Sequence, residues 1–200
     1  MNTPTQTPSS APANTQRRYI REPARRAFAA EVREIRLTFK DGEDEKSPVY
    51  VMLPSGIRCN RLFFCGQMIR KELKGDENAF YSVRVQDPTG IFFVNAGSYQ
   101  PEAKQQISRI DESAWVAVVG KAQARDTPDG ATFVSIRAET VTEIDEDTYR
   151  KWVDETAGQT LDRADAFGET EDSKKAREFY ANDPETYRQM ALHALQRITF

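Results

Sequence analysis

The stretch VRVQDPTGIFFVNAGSYQP, residues 83–101, constrains this chain more than any other. Apolar and polar residues alternate on both sides of Asp87-Pro88-Thr89-Gly90. A period of two marks a strand with one buried face. Pro at the second turn position and Gly at the fourth close the two strands into a hairpin. Along 79–86, Tyr81, Val83 and Val85 share one face, and Phe80, Ser82, Arg84 and Gln86 share the other. The valines mark the core side, so Arg84 points outward. Along 91–97, Phe92, Val94 and Ala96 make the core set, which turns Phe93 and Asn95 outward. A large ring is therefore expected on the outer side of a hairpin.

The flanking segments extend the pattern. Pro23 opens a helical segment over 21–32, and alternating Ile35, Leu37 and Phe39 follow as a strand. Residues 48–69 read as two strands joined at Pro54-Ser55-Gly56, and a polar break spans 71–78. After the hairpin come a short helix over 99–110, a Val-rich strand over 114–125, a turn at 126–130 and a returning strand over 131–144. From residue 57 the order is three strands, a helix and two strands. That is the order of the OB-fold, a small Greek-key barrel. The period then lengthens. Tyr149, Trp152, Val153, Thr156, Ala157, Thr160, Leu161, Ala164 and Phe167 form one stripe on a helix over 145–167. Further helices begin near Ser173 and at Asp183-Pro184-Glu185. The expected organisation is mainly β with α: a loose tail (1–17), an N-terminal helix and strand extension (18–56), a five-stranded OB barrel (57–144) and a C-terminal helical region (145–200).

In the last hairpin Val134 and Ile136 point in, while Phe133, Ser135 and Arg137 point out. Lys121 and Arg125 lie on the preceding strand. The outer set is then Arg84, Phe93, Asn95, Lys121, Arg125, Phe133 and Arg137. Flat rings stack on unpaired bases and cations track phosphates, so this face suits a single nucleic-acid strand. The same ring at Phe93 also fits burial under residues 18–53, under the C-terminal helices or against a subunit. A bulge would invert the assignment of faces.

Composition narrows the function further. The net charge of −3 conceals +5 over residues 1–40 and −6 over 143–200. Basic groups gathered on one face allow an acidic chain to bind nucleic acid. Arg17, Arg18, Arg21, Arg25 and Arg26 form one such group, either a phosphate path or a solvated helix face. The only cysteines, Cys59 and Cys65, read as reduced thiols of a cytosolic protein, and the expected location is cytoplasmic. With the single His193 they do not make a zinc site, and His193 reads as a helix-face residue. No phosphate-cradling glycine loop appears. The first sixteen residues lack the charged and apolar regions of a secretory signal. No metal, cofactor, membrane or small-molecule substrate is expected. A metal-dependent nuclease remains open, because carboxylates are plentiful.

The segments REPARRAFA, PVYVMLPSG, NRLFFCGQM, VRVQDPTGIFFVNAGSYQPEA, WVAVVGKAQA and DPETYRQMALHAL together resemble the archaeal replication protein A-associated family. The likeness spans most of residues 21–198. It implies an accessory subunit that binds single-stranded DNA in replication, repair and recombination, partners another replication protein A subunit and catalyses nothing. It also implies an assembly role for the helix after the barrel, through Tyr149, Trp152, Val153 and Phe167. The residue pattern alone favours that stripe packing on its own barrel. A second reading of the whole chain is a protein-interaction subunit that never touches DNA.

Overall fold

The computed structural model describes residues 22–40, 42–43 and 47–198. The expected loose tail, with Arg17, and the start of the N-terminal extension, with Arg18 and Arg21, lie outside the described residues. The fold is sheet-dominated with helices at its C-terminal end. It runs β1 (Arg25–Arg26), α1 (Ala29–Arg33), β2 (Leu37–Lys40), β3 (Val49–Met52), β4 (Arg58–Cys59), β5 (Leu62–Lys74), β6 (Phe80–Gln86) and β7 (Ile91–Ala96). Then follow α2 (Pro101–Arg109), β8 (Trp115–Asp126), β9 (Thr132–Ile144), α3 (Glu146–Asp165), α4 (Glu171–Tyr180) and α5 (Pro184–Ile198).

Strands β5, β6, β7, β9 and β8 pair in that order, and β8 returns to pair with β5. The circuit therefore closes on itself. Its pairings are antiparallel except β7–β9, where Asn95 stands beside Arg137. Inside it Phe92 stacks on Phe64 with ring centroids 3.8 Å apart, surrounded by Val83, Val85, Val94, Val116 and Val118, all buried.

The hairpin turn is tied down by one carboxylate. Asp87 Oδ1 accepts hydrogen bonds from the Thr89 and Gly90 amides and the Thr89 hydroxyl at 2.7–2.9 Å. Its Oδ2 accepts from the Ala29 amide, the first of α1, at 2.8 Å. Burial pushes Asp87 up to about 6, against the downward pull of these four donors. The turn thus also caps a helix that lies far away in sequence.

Two local expectations give way to tertiary contacts. The helix expected over 21–32 shrinks to Ala29–Arg33, because Arg25 and Arg26 are drawn into parallel pairing with Leu62 and Phe63. The polar break expected from residue 71 begins later. Pairing of Lys74 with Phe80 holds these polar residues in strand. A register shift between Met68 and Arg70 leaves Ile69 as a bulge and inverts β5. Before it, Met68 faces inward opposite Val85; beyond it, Arg70, Glu72 and Lys74 stand opposite Arg84, Ser82 and Phe80 on the outside.

The remaining strands make a small antiparallel sheet, β2-β3-β4, whose members straddle the expected boundary at 56/57. The α3 stripe buries Tyr149, Trp152, Val153, Thr156, Ala157, Thr160 and Ala164. Trp152 meets Phe28 edge-on at 5.6 Å, and Tyr149 stacks on Trp115 at 4.1 Å. Glu31 of α1, fully buried, pairs with Arg163 of α3 at 3.2 Å and accepts from the Ser55 hydroxyl. The Tyr180 hydroxyl accepts from the Arg36 and Leu37 amides and donates to the Met52 carbonyl, fastening α4 to the small sheet. One continuous core therefore joins residues 27–35, the closed circuit and α3 with α5.

Candidate nucleic-acid interface

On the outside of the circuit, one row of side chains crosses four strands. Arg84 of β6 lies opposite Phe93 of β7, its guanidinium 5.8 Å from the ring centroid. The Phe93 ring meets Phe133 of β9 at 5.2 Å with the planes tilted by 52°. Phe133 stands opposite Arg125 of β8. A second row runs beside it: Asn95 next to Arg137, and Arg137 opposite Lys121. Strand parity thus places all seven outer residues named from the sequence on one surface. Phe133 is 44 % exposed, and Arg84, Arg125 and Arg137 are exposed; Phe93, Asn95 and Lys121 are half-buried. Ser135 shares this face but is buried, being short between Phe133 and Arg137.

Phe93 touches Arg84 and Phe133, so its ring stays on the outside. The surface deepens toward the small sheet into a groove of about 620 Å³, where Thr38, Val49 and Asn60 face Lys121, Arg125 and Arg137. Three cations on one wall, facing Thr38, Val49 and Asn60 on the other, suit a phosphate chain carrying flat bases. Arg61, at the same edge, is held by Glu139 at 2.6 and 3.0 Å.

Sequence reasoning missed Arg70 and Lys74. The bulge at Ile69 brings both to the side that carries Arg84. Glu72 lies between them, accepting from Arg70 Nε at 2.7 Å and approaching Lys74 at 3.3 Å. Hydrogen bonds from Arg70 and then Lys74 hold its carboxyl below the usual range. A bulge is set by the partner strand, and no single-strand pattern announces it.

Of the two readings of the α3 stripe, the structure places its residues against the chain's own core. Tyr149, Trp152 and Val153 are 8 %, 3 % and 0 % exposed, covered by Trp115, Phe28 and the rest of the chain's own core. Phe167 is half-buried beside Gly56, and a Cβ there would lie 3.7 Å from its ring. The stripe fills an interior contact. Of the basic group, Arg26 pairs with Glu155 at 2.6 Å and covers the Phe63 ring. Cys59 and Cys65 are buried free thiols, each pushed up to about 12 by burial. His193 is exposed on α5. Among the described residues, no three His, Cys, Asp or Glu side chains group to hold a metal, and no helix is long and apolar enough to cross a membrane.

No family model and no curated protein matches this chain. Solved structures do. A second single-stranded DNA-binding protein of Mycobacterium smegmatis is 18 % identical, covering 43 % of this chain and 87 % of its own, at a TM-score of 0.37. A mitochondrial single-stranded DNA-binding protein of S. cerevisiae is 18 % identical, covering 42 % and 92 %, at 0.33. The asparaginyl-tRNA synthetase of Pyrococcus horikoshii is 14 % identical, covering 52 % and 30 %, at 0.34. Each likeness takes in about half of this chain or less, so function is read from the site itself.

Proposed function

We propose that this protein binds single-stranded DNA along the Arg84–Phe93–Phe133–Arg125 row, as a non-catalytic subunit of a replication protein A-like complex. The closed five-strand circuit is read as an OB barrel, with β5 to β7, α2, β8 and β9 in the order of that fold. The observation that carries the reading is two aromatic rings side by side on the outer face, bracketed by arginines on the two neighbouring strands. Stacking each base on such a ring contributes about 1–3 kcal/mol, and the sequence of the strand matters little. A partner subunit and a role in repair and recombination rest on the resemblance in sequence. With the α3 stripe already covered, the partner meets another surface.

Fluorescence anisotropy with labelled oligo-dT tests this. Binding is expected at low salt and weakens steeply as salt rises, through release of counterions. Absence of any binding at low salt, both alone and with its co-expressed partner subunit, removes the DNA reading and leaves the protein-interaction subunit. Single strands that remain intact after incubation with magnesium or manganese support a role without chemistry; their cleavage makes the protein a nuclease.

A further inference from the structure

We propose that the strand-binding surface has a second stacking seat, formed by Phe80, Gly97 and Tyr99, beyond the Phe93–Phe133 pair. This rests on the binding reading above and extends the same site. Phe93, Asn95 and Gly97 follow one another on the same side of β7 and its continuation. Gly97 therefore carries the row on without a side chain. The nearest atom to a Cβ built there would be the Phe80 Cβ at 3.5 Å, so the vacancy lies directly beside the Phe80 side chain. Tyr99, two residues on, is 93 % exposed, the barest large ring among the described residues. A ring so open to solvent is free to stack on a base.

Charge follows the same direction. The bulge sets Arg70 opposite Arg84 and Lys74 opposite Phe80. Two arginines directly opposite each other repel, and an anion along the row relieves that repulsion. Glu72 already holds Arg70 and Lys74 as a phosphate would. Arg70 and Lys74 thus stand on the path between the seats with Glu72 between them, and a phosphate arriving there competes with that carboxylate. Four residues separate Phe93 from Gly97, roughly 13 Å of extended strand. A long oligonucleotide reaches both seats, and a very short one fills only the first.

Two variants test this with little risk to the fold. Tyr99→Ala removes a side chain that makes no buried contact. Gly97→Val fills the vacancy, where the added Cβ meets only ordinary contacts at 3.5 and 4.0 Å. Both are titrated by anisotropy against oligo-dT of about 16 residues, the upper end of known sites on single barrels, and against the dinucleotide, whose two bases lie too close together to occupy both seats. Each variant is expected to weaken binding of the longer oligomer roughly tenfold and to leave the shorter unchanged, which is what the loss of one base stack amounts to. Unchanged affinity for the longer oligomer in Tyr99→Ala overturns the second seat while the first stands. Equal losses at both lengths also overturn it, by placing Tyr99 at the first seat. Failure of the unaltered protein to bind either oligomer removes the underlying reading instead.

Discussion

Phe92 and Phe93 are chemically identical neighbours with opposite surroundings. Phe92 is 2 % exposed and stacked on Phe64; Phe93 is outside, between Arg84 and Phe133. Truncating each therefore has a different consequence. Phe93→Ala is expected to weaken oligo-dT binding by about tenfold with little change in melting temperature. Phe92→Ala is expected to cost about 3–5 kcal/mol of stability, the usual penalty for emptying a packed aromatic site. Anisotropy and thermal melting on the same two variants separate the cases, and a destabilised Phe93→Ala that binds normally would reverse the assignment of faces. The difference was legible in the sequence as far as strand parity with Val83, Val85 and Val94 reaches, and it holds because no bulge interrupts the pairing of β6 with β7. Glu31 was not legible. It sits in an Ala-rich segment that gives no sign of burial, and its partner Arg163 lies on another element.

Among the elements, α3 shows which part of an amphipathic pattern can be read. The stripe from Tyr149 to Ala164 follows helical spacing, and all of it but the half-buried Leu161 is buried. Spacing says that a face is covered but not by what. For Trp152 and Tyr149 the cover is Phe28 and Trp115, which precede α3 in the chain and come near it only through folding. Trp152→Ala is accordingly expected to destabilise the isolated protein by about 3–5 kcal/mol, measured by urea denaturation without any partner present. A variant as stable as the parent would mean that the indole is covered only in a complex. Strand β5 shows the opposite limit. Its sequence runs on without a break, yet one looped-out residue, Ile69, moves Arg70 and Lys74 to the face of Arg84. Nothing within β5 encodes that shift. It arises where β5 changes neighbours, from β8 over Leu62–Gln67 to β6 over Gln67–Lys74.

For the whole molecule, the order of strands and helices from Leu62 onward was readable from period and turn signals, whereas the short β1 and β4 were not. Its division into parts was not. The small sheet takes Arg58 and Cys59 from beyond the expected boundary, and Phe28 and Trp152 join the two ends of the described chain through one core. Long-range pairing governs how this molecule reaches its native state. The pairing of Leu62 with Gly120 closes the circuit, and Phe28 reaches Trp152 across it. Such contacts require large loops to be ordered before they contribute anything, so refolding is expected on the millisecond-to-second scale. Stopped-flow fluorescence of the two tryptophans would follow it, and a complete recovery within microseconds would contradict it. A nascent chain emerging from the ribosome cannot shut its ring until the strand from Thr132 to Ile144 has been made. Until then Phe64 and Phe92 have no finished interior to enter, and the unfinished polypeptide is the form most in need of a chaperone.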